Sequence, residues 1–165
     1  MRPQCVNVLP GRLAEGLDRA AALATLTANL RRAAEAFAPL GIRVLAEAIN
    51  PLDMPGFLVN TPQDLLALIA AVDQPNFAAQ LDFYHMARQG LDLPACIAAL
   101  AGHIGHMQFA DCPGRGAPGT GSVDFPAALA ALHETGYAGW LAAEYRPGEV
   151  GTQASLGWLA EWRSR

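Results

Sequence analysis

The sequence contains no run of about 18 apolar residues, the length a membrane-spanning helix needs. Its N-terminus, Met1-Arg2-Pro3-Gln4-Cys5, lacks the apolar core of a secretory signal. Cysteine is sparse: Cys5, Cys96 and Cys112 are far apart and odd in number, which speaks against a disulfide framework or a CxxC zinc site. Free thiols in a reducing cytoplasm and no membrane partner are the expectation. No basic cluster exceeds two residues and the net charge is −4, so no nucleic-acid partner is expected. Charged residues make up only 16% of the chain against 52% hydrophobic, the balance of a globular domain rather than a disordered one. A length of 165 residues suits one domain with one core.

What is present is an alternation. Cys5–Leu9 is a short β-like run closed by Pro10-Gly11. From about Leu17 to Leu40 apolar residues recur at helical steps (Leu23, Leu26, Leu30, Ala34, Phe37), and Gly41 ends the run. Ile42–Ile49 reads as a strand. Thr61-Pro62 starts a helix to about Val72, with Thr61 as N-cap and Pro62 at the first helical position. Phe77–Phe83, Ile104–Phe109 and Trp140–Glu144 read as strands. Leu93–Ala101, Phe125–Thr135 and a tail from about Gln153 to Trp162 read as helices. Five βα units in succession predict a parallel sheet with helices packed outside it.

In such folds the chemistry gathers at the C-terminal ends of strands. Glu47, Asp82, Gln108 and Glu144 each lie late in a strand, at spacings of 35, 26 and 36 residues, about one βα unit apiece. One such carboxylate is commonly a helix cap or a surface ion-pair member. Four oxygen-bearing side chains in register point to a shared site. Converging carboxylates repel one another unless a divalent cation relieves them, and an all-oxygen set suits Mg²⁺ or Mn²⁺. His85 reads equally as a packed or capping histidine and as a site residue. His106, two residues before Gln108, reads as a second layer on the same strand face. His103 and His133 read as solvent or helix-end residues, and Trp140, Trp158 and Trp162 as packing. The Gly/Pro-rich loop Asp111–Gly121 follows a candidate ligand strand. There Arg115 offers a donor fork to an anionic carboxylate, assisted by the backbone amides of Gly119 to Gly121.

Several strings together resemble the hydroxypyruvate isomerase family, within the wider group of xylose isomerase-like TIM barrels. They are Glu47-Ala48-Ile49-Asn50 with Asp53-Met54-Pro55-Gly56-Phe57, then Leu81-Asp82-Phe83-Tyr84-His85-Met86. Next come His106-Met107-Gln108-Phe109-Ala110-Asp111 with Pro113-Gly114-Arg115 and Pro118-Gly119-Thr120-Gly121. Gly136-Tyr137-Ala138-Gly139-Trp140 and Glu144-Tyr145-Arg146-Pro147 close the series. The resemblance implies a divalent cation held by Glu47, Asp82, Gln108 and Glu144, with Glu47 and Glu144 as catalytic acid/base partners. It implies that His85 and Arg115 contact a small hydroxy- or oxo-acid substrate. Hydroxypyruvate and tartronate semialdehyde would interconvert by proton transfer through an enediolate, with no nucleotide or redox cofactor. A four-carbon 2-oxo-acid isomerase or a ketose epimerase shares that chemistry. A remnant acting only in assembly is the alternative of another class. Ala87, Ala117 and Ser122 depart from the family pattern, where Gln, Glu and Glu are expected.

A whole (β/α)8 barrel takes about 250 residues and eight strands. The five units here correspond to strands four to eight, so the expectation is a single partial TIM barrel, N-terminally truncated. Its exposed edges would favour a homo-oligomer or a completing chain.

Overall fold

The computed structural model describes residues 3–163. Five parallel strands lie in sequential order: β1 (Cys5–Asn7), β2 (Arg43–Glu47), β3 (Phe77–Asp82), β4 (Ile104–Phe109) and β5 (Leu141–Ala143). The sheet curls into a half-barrel, a partial TIM barrel. Helices α1 (Arg19–Phe37), α2 (Pro62–Val72), α3 (Phe83–Arg88), α4 (Leu93–Ala99) and α5 (Phe125–Glu134) follow the strands, with short α6 (Gly151–Ala154) and α7 (Trp158–Arg163) at the end.

The core lies between the sheet's outer face and these helices. Val44 and Ala46 of β2, Ala79 and Leu81 of β3, and Met107 and Phe109 of β4 bury there against Leu26, Leu30, Leu65, Leu68, Ile97 and Leu132. Alternation along each strand sends the intervening residues to the inner face. Local chemistry sets the helix starts. Thr61 and Asp64 form a reciprocal capping box with Pro62 in the first turn, and Asp18, Asp92 and Asp124 cap α1, α4 and α5. None of the described helices is long and apolar enough to cross a membrane.

Three features differ from the sequence-based expectation. Strand β3 ends at Asp82 rather than Phe83, and a six-residue helix that the sequence reading did not place starts at once at Phe83. Asp82 itself starts the helix by accepting the Tyr84 amide N–H. The tail is broken into α6, α7 and intervening 3₁₀ turns rather than forming one helix. Trp158 and Trp162 pack on Phe109 as expected, at ring distances of 5.4 and 5.1 Å. Trp140 does not pack: 74% of it is exposed.

A bulge sets the register that matters most. Ala79 pairs with Ile104, but Gln80 pairs with His106, so Gly105 is an extra residue in β4. Only glycine fits there, because a Cβ would meet the Leu45 side chain and come within 2.9 Å of the Ala78 Cβ. The shift brings Gln108 opposite Asp82. Without it, Met107 would take that position and Gln108 would leave the rim.

Candidate active site

The rim at the strand C-termini collects Asn7, Glu47, Gln80, Asp82 and Gln108, with His85 one turn into α3. Glu47, Asp82 and His85 are all buried, and one ligand-type atom from each lies within 4.8 Å of the others. Two buried carboxylates this close repel, and the acidity of Glu47 registers it. Burial first, and then the Asp82 charge, pushes the Glu47 carboxyl up to about 7. Burial pushes Asp82 up to about 6.

Each carboxylate has one oxygen anchored by the protein and one turned into the shared space. Glu47 Oε2 accepts from Asn7 Nδ2 and Gln80 Nε2, both at 2.8 Å, and Oε1 faces His85 Nε2 at 3.8 Å. Asp82 Oδ1 accepts the Tyr84 N–H at 2.9 Å, while Oδ2 lies 3.5 Å from Arg115 Nη2 and 3.9 Å from His85 Nε2. Gln80 also donates to Gln108 Oε1 at 2.5 Å, which ties Gln108 to the cluster and leaves its oxygen a second lone pair.

Glu144 stands apart. It follows β5, its side chain is 51% exposed, and it joins the others through Arg115, whose Nη2 donates to Glu144 Oε2 at 2.7 Å. Arg115 therefore bridges Asp82 and Glu144, and its guanidinium lies 5.0 Å from the centre of the Tyr84 ring.

The donor set fits a hard divalent cation. Glu47 Oε1 and Asp82 Oδ2 are oriented oxygens that attract positive charge, and Gln108 adds an amide oxygen.

The loop after β4 is pinned rather than a free linker. Buried Asp111 accepts four backbone N–H groups: Cys112 and Val123 on Oδ1 at 2.8 and 3.0 Å, and Gly119 and Gly121 on Oδ2 at 2.8 and 2.9 Å. The amides of Gly119 and Gly121, expected to assist a substrate anion, are thus turned inward and taken. Gly121 has no room for a Cβ, which would lie 2.6 Å from Asp111 Oδ1. The loop holds Arg115 in the left-handed region, with φ of 54°, and the Arg146 N–H donates to the Arg115 carbonyl at 2.7 Å. Asp111→Ala is expected to lower the unfolding free energy by about 3 kcal/mol, since charge-assisted bonds to four amides are lost together. Urea denaturation measures this, and a loss below about 1 kcal/mol would show that the loop holds itself.

Of the other histidines, His106 is half-buried on β4, and His103 and His133 are exposed. Sequence reasoning did not single out Gln80, Asn7, Asp111, or the group Asn50, Asp53 and Tyr84 beside His85. A signal existed for Gln80: a polar residue two positions before Asp82 in an apolar strand shares its face.

A xylose isomerase-like TIM barrel family model matches residues 1–162. Among curated relatives, hydroxypyruvate isomerase of Escherichia coli (strain K12) is 37% identical over 158 residues, covering 96% of this chain and 61% of the relative. A 2-oxo-tetronate isomerase of Pectobacterium atrosepticum is also 37% identical, covering 95% and 60%. A crystal structure described as AP endonuclease, family 2, from Brucella melitensis superposes with a TM-score of 0.88 at 36% identity, covering 96% of this chain and 61% of that one. The chain thus spans about three fifths of the length of these relatives.

Proposed function

We propose, from the premise that this chain belongs to the xylose isomerase-like TIM-barrel family, that it carries the site of a divalent-metal-dependent sugar-acid isomerase interconverting hydroxypyruvate and tartronate semialdehyde. The observation that carries the reading is the convergence of Glu47, Asp82 and His85 at one rim, with Glu47 Oε1 free of hydrogen bonds among the described residues and Asp82 Oδ2 held only by a long contact to Arg115. Glu47, Asp82, Gln108 and Glu144 would hold the cation, Mg²⁺ or Mn²⁺ by the hardness of the set. A bound cation supplies stabilisation of the negative charge that develops on substrate oxygens.

The chain's own residues would do the rest. The reaction removes a proton from C3 and delivers one to C2, while the C3 hydroxyl proton is lost and the old carbonyl oxygen gains one. Electrons and atoms balance within the substrate, so no redox cofactor enters. Glu47 and Glu144 act as the pair that takes and returns the carbon-bound proton. The Nε and Nη1 groups of Arg115 have no hydrogen-bond partner among the described residues and suit the substrate carboxylate. His85 contacts a substrate oxygen.

A four-carbon 2-oxo acid is the second reading, favoured by equal identity to a 2-oxo-tetronate isomerase. The ratio of kcat/KM for the two acids separates them. A nuclease would want a basic nucleic-acid face, against a net charge of −4.

The test is calorimetric titration of the purified chain with Mn²⁺, followed by a hydroxypyruvate turnover assay. Saturable binding near one ion per chain and metal-dependent turnover are expected. Absence of saturable binding would leave a remnant acting in assembly as the better account.

A further inference from the structure

His85 has two ring nitrogens, and only one of them can be protonated in the neutral ring. Its surroundings decide which. Nδ1 lies 2.7 Å from Asn50 Nδ2.

Asn50 is fully buried, and its amide orientation is fixed at both ends. Its Oδ1 accepts the backbone N–H of Asp53 at 2.8 Å. Its Nδ2 donates to Asp53 Oδ2 at 3.1 Å. Asp53 in turn accepts the Tyr84 hydroxyl at 2.5 Å and the Arg88 guanidinium at 3.3 Å. The Tyr84 bond, first among several, holds its pKa below the usual carboxylate value, so Asp53 is ionised and can only accept. Flipping the amide would set the Asn50 oxygen against the Asp53 carboxylate and its NH₂ against an N–H donor. The orientation that avoids both conflicts points the second N–H of Nδ2 at His85 Nδ1.

We propose that Asn50 is a positioning residue that locks His85 as the Nε2–H tautomer, so that the ring offers the site a hydrogen-bond donor and not a metal ligand. The inference deepens the isomerase reading and rests on it for the identity of the acceptor, a substrate oxygen. Nε2 lies 3.8 Å from Glu47 Oε1 and 3.9 Å from Asp82 Oδ2, both too long for a hydrogen bond. The donor is therefore left for a third oxygen. A protonated nitrogen has no lone pair for a cation, so of the three clustered groups only the carboxylates qualify as ligands. That keeps the ligand set all-oxygen, and with it the preference for Mg²⁺ or Mn²⁺ over zinc.

The test is a long-range ¹H–¹⁵N correlation spectrum of the metal-free chain with ¹⁵N-labelled histidine, with His85 assigned by its loss in His85→Ala. An unprotonated Nδ1 and a protonated Nε2 are expected. In Asn50→Asp an acceptor replaces the donor, and Nδ1 is expected to become protonated. A protonated Nδ1 in the parent chain overturns the proposal whether or not the variant folds. A Nδ1 left unprotonated in a folded Asn50→Asp overturns it as well. Neither readout involves metal or turnover, so failure of the Mn²⁺ titration would sink the isomerase reading while the tautomer result stood on its own.

Discussion

Glu144→Gln is expected to slow hydroxypyruvate turnover about 10²–10⁴-fold, the range a positioned acid/base group contributes, while the chain stays folded. The structure separates the two effects. The Glu144 backbone is fixed, its N–H donating to the Phe109 carbonyl at 2.9 Å, but its side chain is half exposed and among the described residues pairs only with Arg115. A solvent-exposed ion pair contributes at most about 1 kcal/mol. Glutamine keeps an oxygen that accepts from Arg115, so stability should move by no more than about 0.5 kcal/mol. The amide cannot take or return a proton at neutral pH, and it is a weaker cation donor than a carboxylate. The fall should therefore appear in kcat as well as in Mn²⁺ affinity. Steady-state kinetics at saturating Mn²⁺ with parallel urea denaturation measure both, and turnover within threefold of the parent would refute the role.

The position of Arg115 adds a consequence. One guanidinium nitrogen bridges Asp82 Oδ2 and Glu144 Oε2, two oxygens that the proposed cation would also draw on. Arginine and cation compete for the same charge. Titration with Mn²⁺ should then loosen Arg115 from the carboxylates and make it more available to a substrate anion.

How legible this was in the sequence depends on the range of the cause. Thr61-Pro62 and Gly41 announce element ends because capping and chain reversal are local, and both stand where expected. Glu47, Asp82 and Gln108 could be picked from strand-end position alone, because parallel βα units bring every strand end to one rim. The reason Gln108 faces Asp82 was not legible. It depends on Gly105 meeting Leu45 and Ala78 across two neighbouring strands, which no local pattern reveals. Helix α3 was hidden by Phe83-Tyr84, whose intrinsic preference is β, while burial against β4 and the cap from Asp82 made it helical. The anchoring role of Asp111 was not legible, because the glycines whose amides it binds read as donors open to a substrate anion. Trp140 was misjudged by residue type: a large aromatic at the start of an edge strand need not be covered.

Glu47→Gln is expected to abolish the rise in melting temperature that Mn²⁺ gives the parent chain, and to make the metal-free chain more stable. Glu47 is 5% exposed and lies beside buried Asp82, so its charge is costly when no cation is bound. A folded-state pKa of about 7, above an ordinary value of 4.5, fixes the sign. The folded chain holds this proton more tightly than the unfolded one, so stability is full below pH 4.5 and is lost as pH rises through 7. Asp82, raised to about 6 from 3.8, adds a loss of the same sign at slightly lower pH. Glutamine at position 47 never ionises. Its oxygen can still accept from Asn7 and Gln80, and its NH₂ can donate toward Asp82. The variant's advantage should therefore be absent near pH 4, grow between pH 5 and 7, and level off by pH 8 at about 2 kcal/mol. With Mn²⁺ the order reverses. The parent gains the binding free energy at saturating metal, and the variant, one carboxylate short, does not. Thermal melts at pH 4 and pH 8, each with EDTA or with excess Mn²⁺, give four comparisons. A variant less stable than the parent at pH 8 in EDTA would mean that Glu47 is held as a structural anion by Asn7 and Gln80. The crowding of carboxylates would then not be what draws a cation to this rim.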